Sequence, residues 1–167
     1  MHHPGRVAVL DDDFSYLEAL SLALPVDWQL SCYAHPQAFM QSLFAEEPHW
    51  RARHSRQHEW ISLWREGRPL LPTMLQNLAG DAPHYGLTKV LVVDYAMPGK
   101  NGLEVLKQLH TTAAARVLLT GQADEQLAVT AFNERLIDQF LQKHSADVGR
   151  KLTRVIEELS RRSDCTE

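Results

Sequence analysis

The sequence predicts an α/β domain with a doubly wound, five-stranded parallel sheet and helices on both faces. Three observations support this fold class. The apolar runs are continuous rather than alternating, which is typical of strands that are covered on both sides. Helical patterns separate successive runs, as right-handed βαβ units require. The chain has 167 residues and is 44% hydrophobic, which is enough for one core and favours a single domain.

The predicted strands are short runs rich in apolar residues. They cover residues 7–10, 29–33, 90–93, 117–119 and 140–141. Three helices are predicted between them at residues 14–24, 102–110 and 125–135, the first of which stops at Pro25. The last helix is expected to begin near Ser145 as its N-cap. Its apolar residues recur at helical spacing, namely Val148, Leu152, Val155, Ile156 and Leu159.

Residues 44–86 do not follow this alternation of strands and helices. A helix that starts after Pro36 would normally reach the next strand within about a dozen residues, yet roughly forty more intervene. Trp60 and Trp64 stand at helical spacing there, and Pro69 and Pro72 interrupt the helical pattern beyond them. We therefore predict one domain over residues 1–167 with a helical insertion at about 44–86.

Composition excludes several classes of protein. The net charge of −4 is mild, which argues against a nucleic-acid coat or a membrane-surface role. The sequence shows neither an 18-residue apolar run nor an export leader. The two cysteines, Cys32 and Cys165, are far apart in sequence, which suits a reducing compartment. We expect a cytoplasmic protein without a membrane partner.

Polar residues follow four of the predicted strands. Asp11, Asp12 and Asp13 come after the first run, and Asp94, Thr120 and Lys143 each follow a later one. In a parallel sheet these groups meet at one edge, beyond the carboxyl ends of the strands. Carboxylates that lie together repel one another, so a cation is expected, and hard oxygen ligands suit Mg²⁺.

A carboxylate at such an edge can also attack phosphorus and form an aspartyl phosphate. We assign this role to Asp94. Lys143 would then pair with the added charge, and the Thr120 hydroxyl would donate to a phosphoryl oxygen. Mg²⁺ and Lys143 together would neutralise charge during in-line transfer.

The motifs VAVLDDD, VLVVDYAMPGKNGLEVL, VLLTGQAD and FLQKH resemble the receiver domain of two-component response regulators. The resemblance runs from about Arg6 to Arg162, interrupted by the insertion. It implies a flavodoxin-like strand order 2-1-3-4-5 and Asp94 as the phosphoacceptor. Asp12 would bind Mg²⁺ directly, Asp11 through water, and Asp94 and the Ala96 carbonyl would be further ligands. Thr120 and Phe140 would form the switch pair.

The resemblance also implies a function and partners. A sensor histidine kinase or phosphotransfer protein would supply the phosphoryl group, and a downstream protein would bind the switched surface. Such a domain is no enzyme beyond catalysing its own phosphorylation and dephosphorylation. No output domain follows Arg162 in this sequence, so we expect output through the receiver's own contacts, through a homodimer or through a region outside this sequence, without direct nucleic-acid binding.

The sequence departs from the family in the insertion and at His144, where the family usually has a proline after the lysine on a cis bond. A cis non-prolyl bond costs several kcal/mol, so the geometry of Lys143 is open. His144 favours an alternative in which the receiver binds its partner constitutively, without phosphorylation.

A second alternative is a phosphatase of the haloacid dehalogenase type, which uses Asp-x-Asp, Thr and Lys at strand ends. It needs another strand-end acidic cluster, for which only Asp147 is present, and it leaves the run from Asp94 to Gly102 unexplained.

Four other features have an ordinary structural interpretation that we favour over a functional one. Asp13 is expected to be a turn or N-cap residue. His54 and His58 have metal-binding spacing without a further ligand. Five arginines and two glutamates give residues 49–68 a local charge of +3, as on a solvated helix face. The tryptophans Trp50, Trp60 and Trp64 are expected to pack the insertion onto the domain.

Overall fold

The computed structural model describes the backbone of residues 5–65 and 86–165, and the side chains of residues 5–51 and 86–162. Five strands form one parallel sheet in the order β2-β1-β3-β4-β5. This confirms the predicted fold class and strand order. The strands are β1 (Arg6–Leu10), β2 (Gln29–Tyr33), β3 (Thr88–Asp94), β4 (Ala115–Thr120) and β5 (Gln139–Gln142).

Five α-helices are described between or after the strands. They are α1 (Phe14–Ala23), α2 (Pro36–Arg65), α3 (Gly102–Gln108), α4 (Glu125–Asn133) and α5 (Val148–Cys165), with a 3₁₀ turn at Gln122–Asp124. Within the described ranges, no helix is both long enough and apolar enough to span a membrane.

The two faces of the sheet are buried in two separate apolar clusters. Side chains alternate along each strand, so Ala8 and Leu10 face one side while Val7 and Val9 face the other. Residues of α2, α3 and α4 cover the first side, and residues of α1 and α5 cover the second. Strands with both faces covered need apolar residues at every position, which explains the continuous runs in the sequence.

Helix α2 is the feature that sequence periodicity predicts least well. It runs for 30 residues through Pro48, so residues 44–65 of the expected insertion continue the helix that starts at Pro36. Residues 66–85 lie outside the described part of the chain. The extent of the insertion and the single-domain organisation therefore stay predictions.

A buried polar network ties α2 to the amino-terminal ends of two strands. Glu46, only 7% exposed, accepts hydrogen bonds from the Arg6 guanidinium (2.8 Å), the Thr88 amide (2.8 Å) and the Thr88 hydroxyl (2.9 Å). Arg6 also donates to Ser31 and to the Tyr33 hydroxyl. A buried carboxylate is stable only with such partners, so this network fixes where α2 packs against the sheet.

The start of α5 differs from the prediction. The helix begins at Val148, and the Asp147 carbonyl accepts the bond from the Lys151 amide. Ser145 is not the N-cap, because its hydroxyl donates to the Gln142 carbonyl at 3.1 Å. Such a local side-chain to backbone bond competes with helix capping.

Helix α4 ends in a left-handed residue. Arg135 has φ 59°, its amide bonds to the Phe132 carbonyl, and the Leu136 amide bonds to the Ala131 carbonyl. These two bonds form a Schellman motif, which satisfies carbonyls at the helix end and normally uses glycine at this position.

Candidate functional site

The carboxyl edge of the sheet brings together the polar residues that follow the strands. Asp94 is the last residue of β3 and Thr120 the last of β4. Asp11 follows β1 directly, and its amide bonds to the Tyr33 carbonyl at 3.1 Å. Lys143 follows β5, and its amide bonds to the Thr120 carbonyl at 2.9 Å. Main-chain hydrogen bonds between strands therefore set the positions of these residues.

The acidic part of the site consists of Asp11, Asp12 and Asp94. One carboxylate oxygen from each lies within 4.8 Å of the others. Asp11 is fully buried and Asp94 is 3% exposed, whereas Asp12 is exposed. Three converging carboxylates with one side open to water form a pocket that could bind a metal ion. Its all-oxygen donor set fits a hard divalent cation that keeps some of its water.

Lys143 supplies the positive charge of the site. Its Nζ lies 2.6 Å from Asp11 Oδ2 and 3.2 Å from Asp94 Oδ2. Burial raises the pKa of Asp94, the charge of Asp11 raises it further, and Lys143 lowers it. Burial alone would lower the pKa of Lys143, but its hydrogen bonds and charge interactions with Asp11 and Asp94 raise it above the ordinary value. Lys143 therefore stays charged, and the site holds a carboxylate that is poorly solvated.

The Asp13 carboxylate caps a helix and is not one of the three carboxylates of the acidic pocket. Its carboxylate accepts from the Tyr16 amide at 3.2 Å and caps α1, as the sequence indicated. Its own amide donates to Asp11 Oδ1 at 2.9 Å, so the turn that starts α1 also orients the Asp11 carboxylate.

The loop after Asp94 explains the spacing of the motif there. Gly102 begins α3 so close to the sheet that a Cβ atom would lie 2.2 Å from the Asp94 carbonyl oxygen. Only glycine permits this approach. Met97 is buried in the core, Gly99 has φ +79°, and Asn101 caps α3. The loop is thus anchored at both ends, with Ala96 exposed between Asp94 and Met97.

Thr120 and Phe140 lie on the same side of the sheet. Leu118 pairs with Phe140 and Thr120 with Gln142, so Thr120 and Phe140 are diagonal neighbours. Thr120 is buried, and its hydroxyl lies 3.4 Å from the Leu141 carbonyl. Phe140 is half-buried against the core cluster of that side.

His144 lies at the rim of the site. It is exposed, and with Thr120, Gly121, Gln122 and Gln142 it lines an open cleft of about 350 Å³.

Sequence reasoning missed one residue of the site, Tyr16. Its hydroxyl donates to the Lys143 carbonyl at 3.2 Å, and its ring centroid lies 4.5 Å from Lys143 Nζ. Burial raises the pKa of Tyr16 to about 12, with help from the charges of Asp11 and Asp94. The only sequence signal was its place three residues after Asp13, on the first turn of a helix that starts at the site.

Several residues that the sequence analysis named have side chains outside the described range, namely His54, His58, Trp60 and Trp64. The same holds for four of the five arginines between residues 49 and 68. Arg51 is described and pairs with Glu47 across one helical turn at 2.6 Å. That pair is consistent with a solvated helix face.

Comparisons with known proteins agree with the fold. No family model matches the sequence, and no curated protein matches it. Among solved structures, the chain is similar to the Legionella pneumophila response regulator LqsR, with 27% identity, a TM-score of 0.69 and 97% of this chain covered. It spans only 45% of that protein, less than half its length.

Two more distant likenesses show the fold alone. One is to a response regulator receiver domain protein from Clostridium thermocellum, with 16% identity, a TM-score of 0.63 and coverage of 98% of this chain and 99% of that one. The other is to a protein named as an adenylate cyclase from Rhodopirellula baltica, with 21% identity, a TM-score of 0.62 and coverage of 97% and 91%. The recognition of a receiver domain from the motifs is confirmed.

Proposed function

We propose that this receiver domain accepts a phosphoryl group on Asp94 from a phosphohistidine, in a reaction that depends on Mg²⁺, and that phosphorylation switches the surface it offers to a partner. The observation that carries the proposal is the position of Asp94. Its carboxylate lies in the acidic pocket with Asp11 and Asp12 and 3.2 Å from the Lys143 ammonium. The likeness to response regulators supports a signalling role.

The chemistry follows from these groups. An Asp94 carboxylate oxygen attacks phosphorus, the P–N bond of the phosphoimidazole breaks, and the imidazole nitrogen keeps the bonding pair and takes up a proton. Asp11, Asp12, Asp94 and the Ala96 carbonyl would hold Mg²⁺, which would supply positive charge to the phosphoryl oxygens. On phosphorylation, the Lys143 ammonium, now 3.2 Å from Asp94 Oδ2, would pair with a phosphoryl oxygen on that residue.

The switch would begin at Thr120. Its hydroxyl holds only a long contact of 3.4 Å to the Leu141 carbonyl, so a phosphoryl oxygen offers it a stronger acceptor. Movement of Thr120 opens space toward which its diagonal neighbour Phe140 turns. The partners are a sensor histidine kinase or phosphotransfer protein upstream and a protein downstream.

The test is intact mass after incubation with acetyl phosphate and Mg²⁺. We expect wild-type protein to gain one phosphoryl group, and Asp94→Asn to gain none. Omission of Mg²⁺ or addition of a chelator should also abolish the gain. Asp13→Asn is the matched control, because Asp13 caps α1 and an asparagine can cap as well; it should be phosphorylated like wild type. A wild-type protein that gains no mass with several donors and kinases would support constitutive binding instead.

The phosphatase alternative gains nothing from the structure. Asp147, its remaining candidate acid, is exposed at the start of α5 and pairs with Lys151 at 3.0 Å.

A further inference from the structure

Tyr16 contacts both the main-chain carbonyl and the side-chain ammonium of Lys143. Its hydroxyl donates to the Lys143 main-chain carbonyl at 3.2 Å, and its ring lies under the ammonium with 4.5 Å between Nζ and the ring centroid. The two residues are 127 positions apart in sequence. These two contacts, one with the backbone of Lys143 and one with its ammonium, restrain both the position and the orientation of Lys143.

The position of Tyr16 is itself fixed. Its amide donates to the Asp13 carboxylate that caps α1, and the Asp13 amide donates to Asp11. The ring is half-buried against the cluster that contains Val9 and Leu119. Tyr16 is therefore held relative to Asp11 by the same turn that orients the Asp11 carboxylate.

The end of β5 by itself does little to fix the conformation of the Lys143 side chain. Strand β5 ends at Gln142 after four residues, and the next residue, His144, is exposed and lacks the rigid ring of a proline. A lysine side chain has many rotamers and loses conformational entropy when its ammonium is held in one place. The Lys143 ammonium must nevertheless lie within 2.6 and 3.2 Å of two carboxylates.

We propose that Tyr16 is a positioning residue for phosphoryl transfer: its ring holds the Lys143 ammonium by a cation–π interaction while its hydroxyl holds the Lys143 carbonyl. This inference rests on the proposed function, because it assigns Tyr16 a role in that reaction through Lys143. The ring and the hydroxyl contribute separately. Tyr16→Phe should keep the first contact and lose the second, whereas Tyr16→Leu should lose both.

The contact can be tested without any phosphorylation. The chain has five lysines, so ¹³C-labelled lysine gives few Cε–Hε signals, and Lys143→Arg identifies the one that belongs to Lys143. Protons over a ring face are shielded. We expect an upfield-shifted Lys143 signal in wild type and Tyr16→Phe, and an ordinary position in Tyr16→Leu. A signal that does not move between wild type and Tyr16→Leu overturns the inference.

The role in the reaction is tested by a double-mutant cycle on the phosphorylation rate with acetyl phosphate and Mg²⁺. A cation–π contact of ordinary strength corresponds to about a five- to tenfold loss of rate in Tyr16→Leu, with a smaller loss in Tyr16→Phe. In a Lys143→Met background, Tyr16→Leu should change the residual rate by less than about twofold, because coupled residues are not additive. Equal losses in both backgrounds overturn the inference.

Two controls separate the possible failures. Phe14→Leu changes an aromatic residue on the same turn that is 74% exposed and should leave the rate unchanged. Urea unfolding shows whether Tyr16→Leu is folded under the assay conditions. If the wild type gains no phosphate, the proposed function fails, and the lysine spectra still decide whether Tyr16 positions Lys143.

Discussion

Replacing Glu46 by alanine should strongly destabilise the domain, because this buried carboxylate joins α2 to the sheet. The substitution removes acceptors for the Arg6 guanidinium, the Thr88 amide and the Thr88 hydroxyl. Thr88 is fully buried, so its amide loses its partner without access to water. Breaking a buried charge pair on one side typically costs about 3–5 kcal/mol.

For Glu46→Ala we expect a loss in the free energy of unfolding toward the lower end of the range for a broken buried charge pair. The Arg6 side chain is 24% exposed and keeps hydrogen bonds to Ser31, Tyr33 and Ser42, so its charge is not left alone. We expect a loss of about 3 kcal/mol for Glu46→Ala. Glu46→Gln keeps one carbonyl acceptor and should cost about 1–2 kcal/mol.

The adjacent residue provides a matched control. Glu47 lies on the same helix and pairs with Arg51 at 2.6 Å, but Arg51 is 77% exposed. Glu47→Ala makes the same change in helix propensity and should cost less than about 0.5 kcal/mol. Urea unfolding followed by circular dichroism measures both variants. If the unfolding free energies of Glu46→Ala and Glu47→Ala differ by less than about 1 kcal/mol, the Glu46 network does not fix α2.

Three further predictions concern the loops and the site. Gly102→Ala should lower the free energy of unfolding in urea by about 2–4 kcal/mol, because its Cβ would lie 2.2 Å from the Asp94 carbonyl oxygen, well short of the 3.4 Å at which ordinary contact begins. The control is Gly121→Ala, whose Cβ would lie 3.4 Å from Asp124 and which should lower it far less. Equal losses in the two variants would contradict the steric argument. Arg135→Gly should stabilise the domain by about 0.5–1 kcal/mol, because glycine adopts the left-handed conformation at φ 59° without strain; no rise in the urea midpoint would count against it. Without divalent cations, Asp94→Asn should be more stable than wild type at neutral pH. The pKa of Asp94 is higher in the folded than in the unfolded state. The Asp94 carboxyl therefore stabilises the fold fully at a pH below its ordinary pKa of 3.8, and this stabilisation is lost as the pH rises through the folded-state pKa. The gap between the two proteins should close as pH falls, and a gap that widens toward acid would reverse the sign of this argument.

The order of the strands and helices, and the acidic, hydroxyl and lysine residues at the edge of the sheet, can be predicted from local sequence patterns. Strands buried on both faces must be apolar at every position, so they stand out locally. The residues that follow such strands necessarily share one edge of a parallel sheet. Asp11, Asp94, Thr120 and Lys143 could therefore be grouped before any distance was known.

Contacts between distant segments depend on how the folded chain packs and cannot be predicted from local patterns. The Glu46 network joins residues 40 and 42 positions apart, and the Tyr16 contact joins residues 127 positions apart. No periodicity encodes such pairs, because each partner alone looks like an ordinary helix or strand residue. The same holds for Ser145. The sequence pattern predicts it as an N-cap, but its hydroxyl donates to the Gln142 carbonyl in the turn after β5 instead. Local patterns specify elements and strand ends, whereas packing selects which polar groups meet.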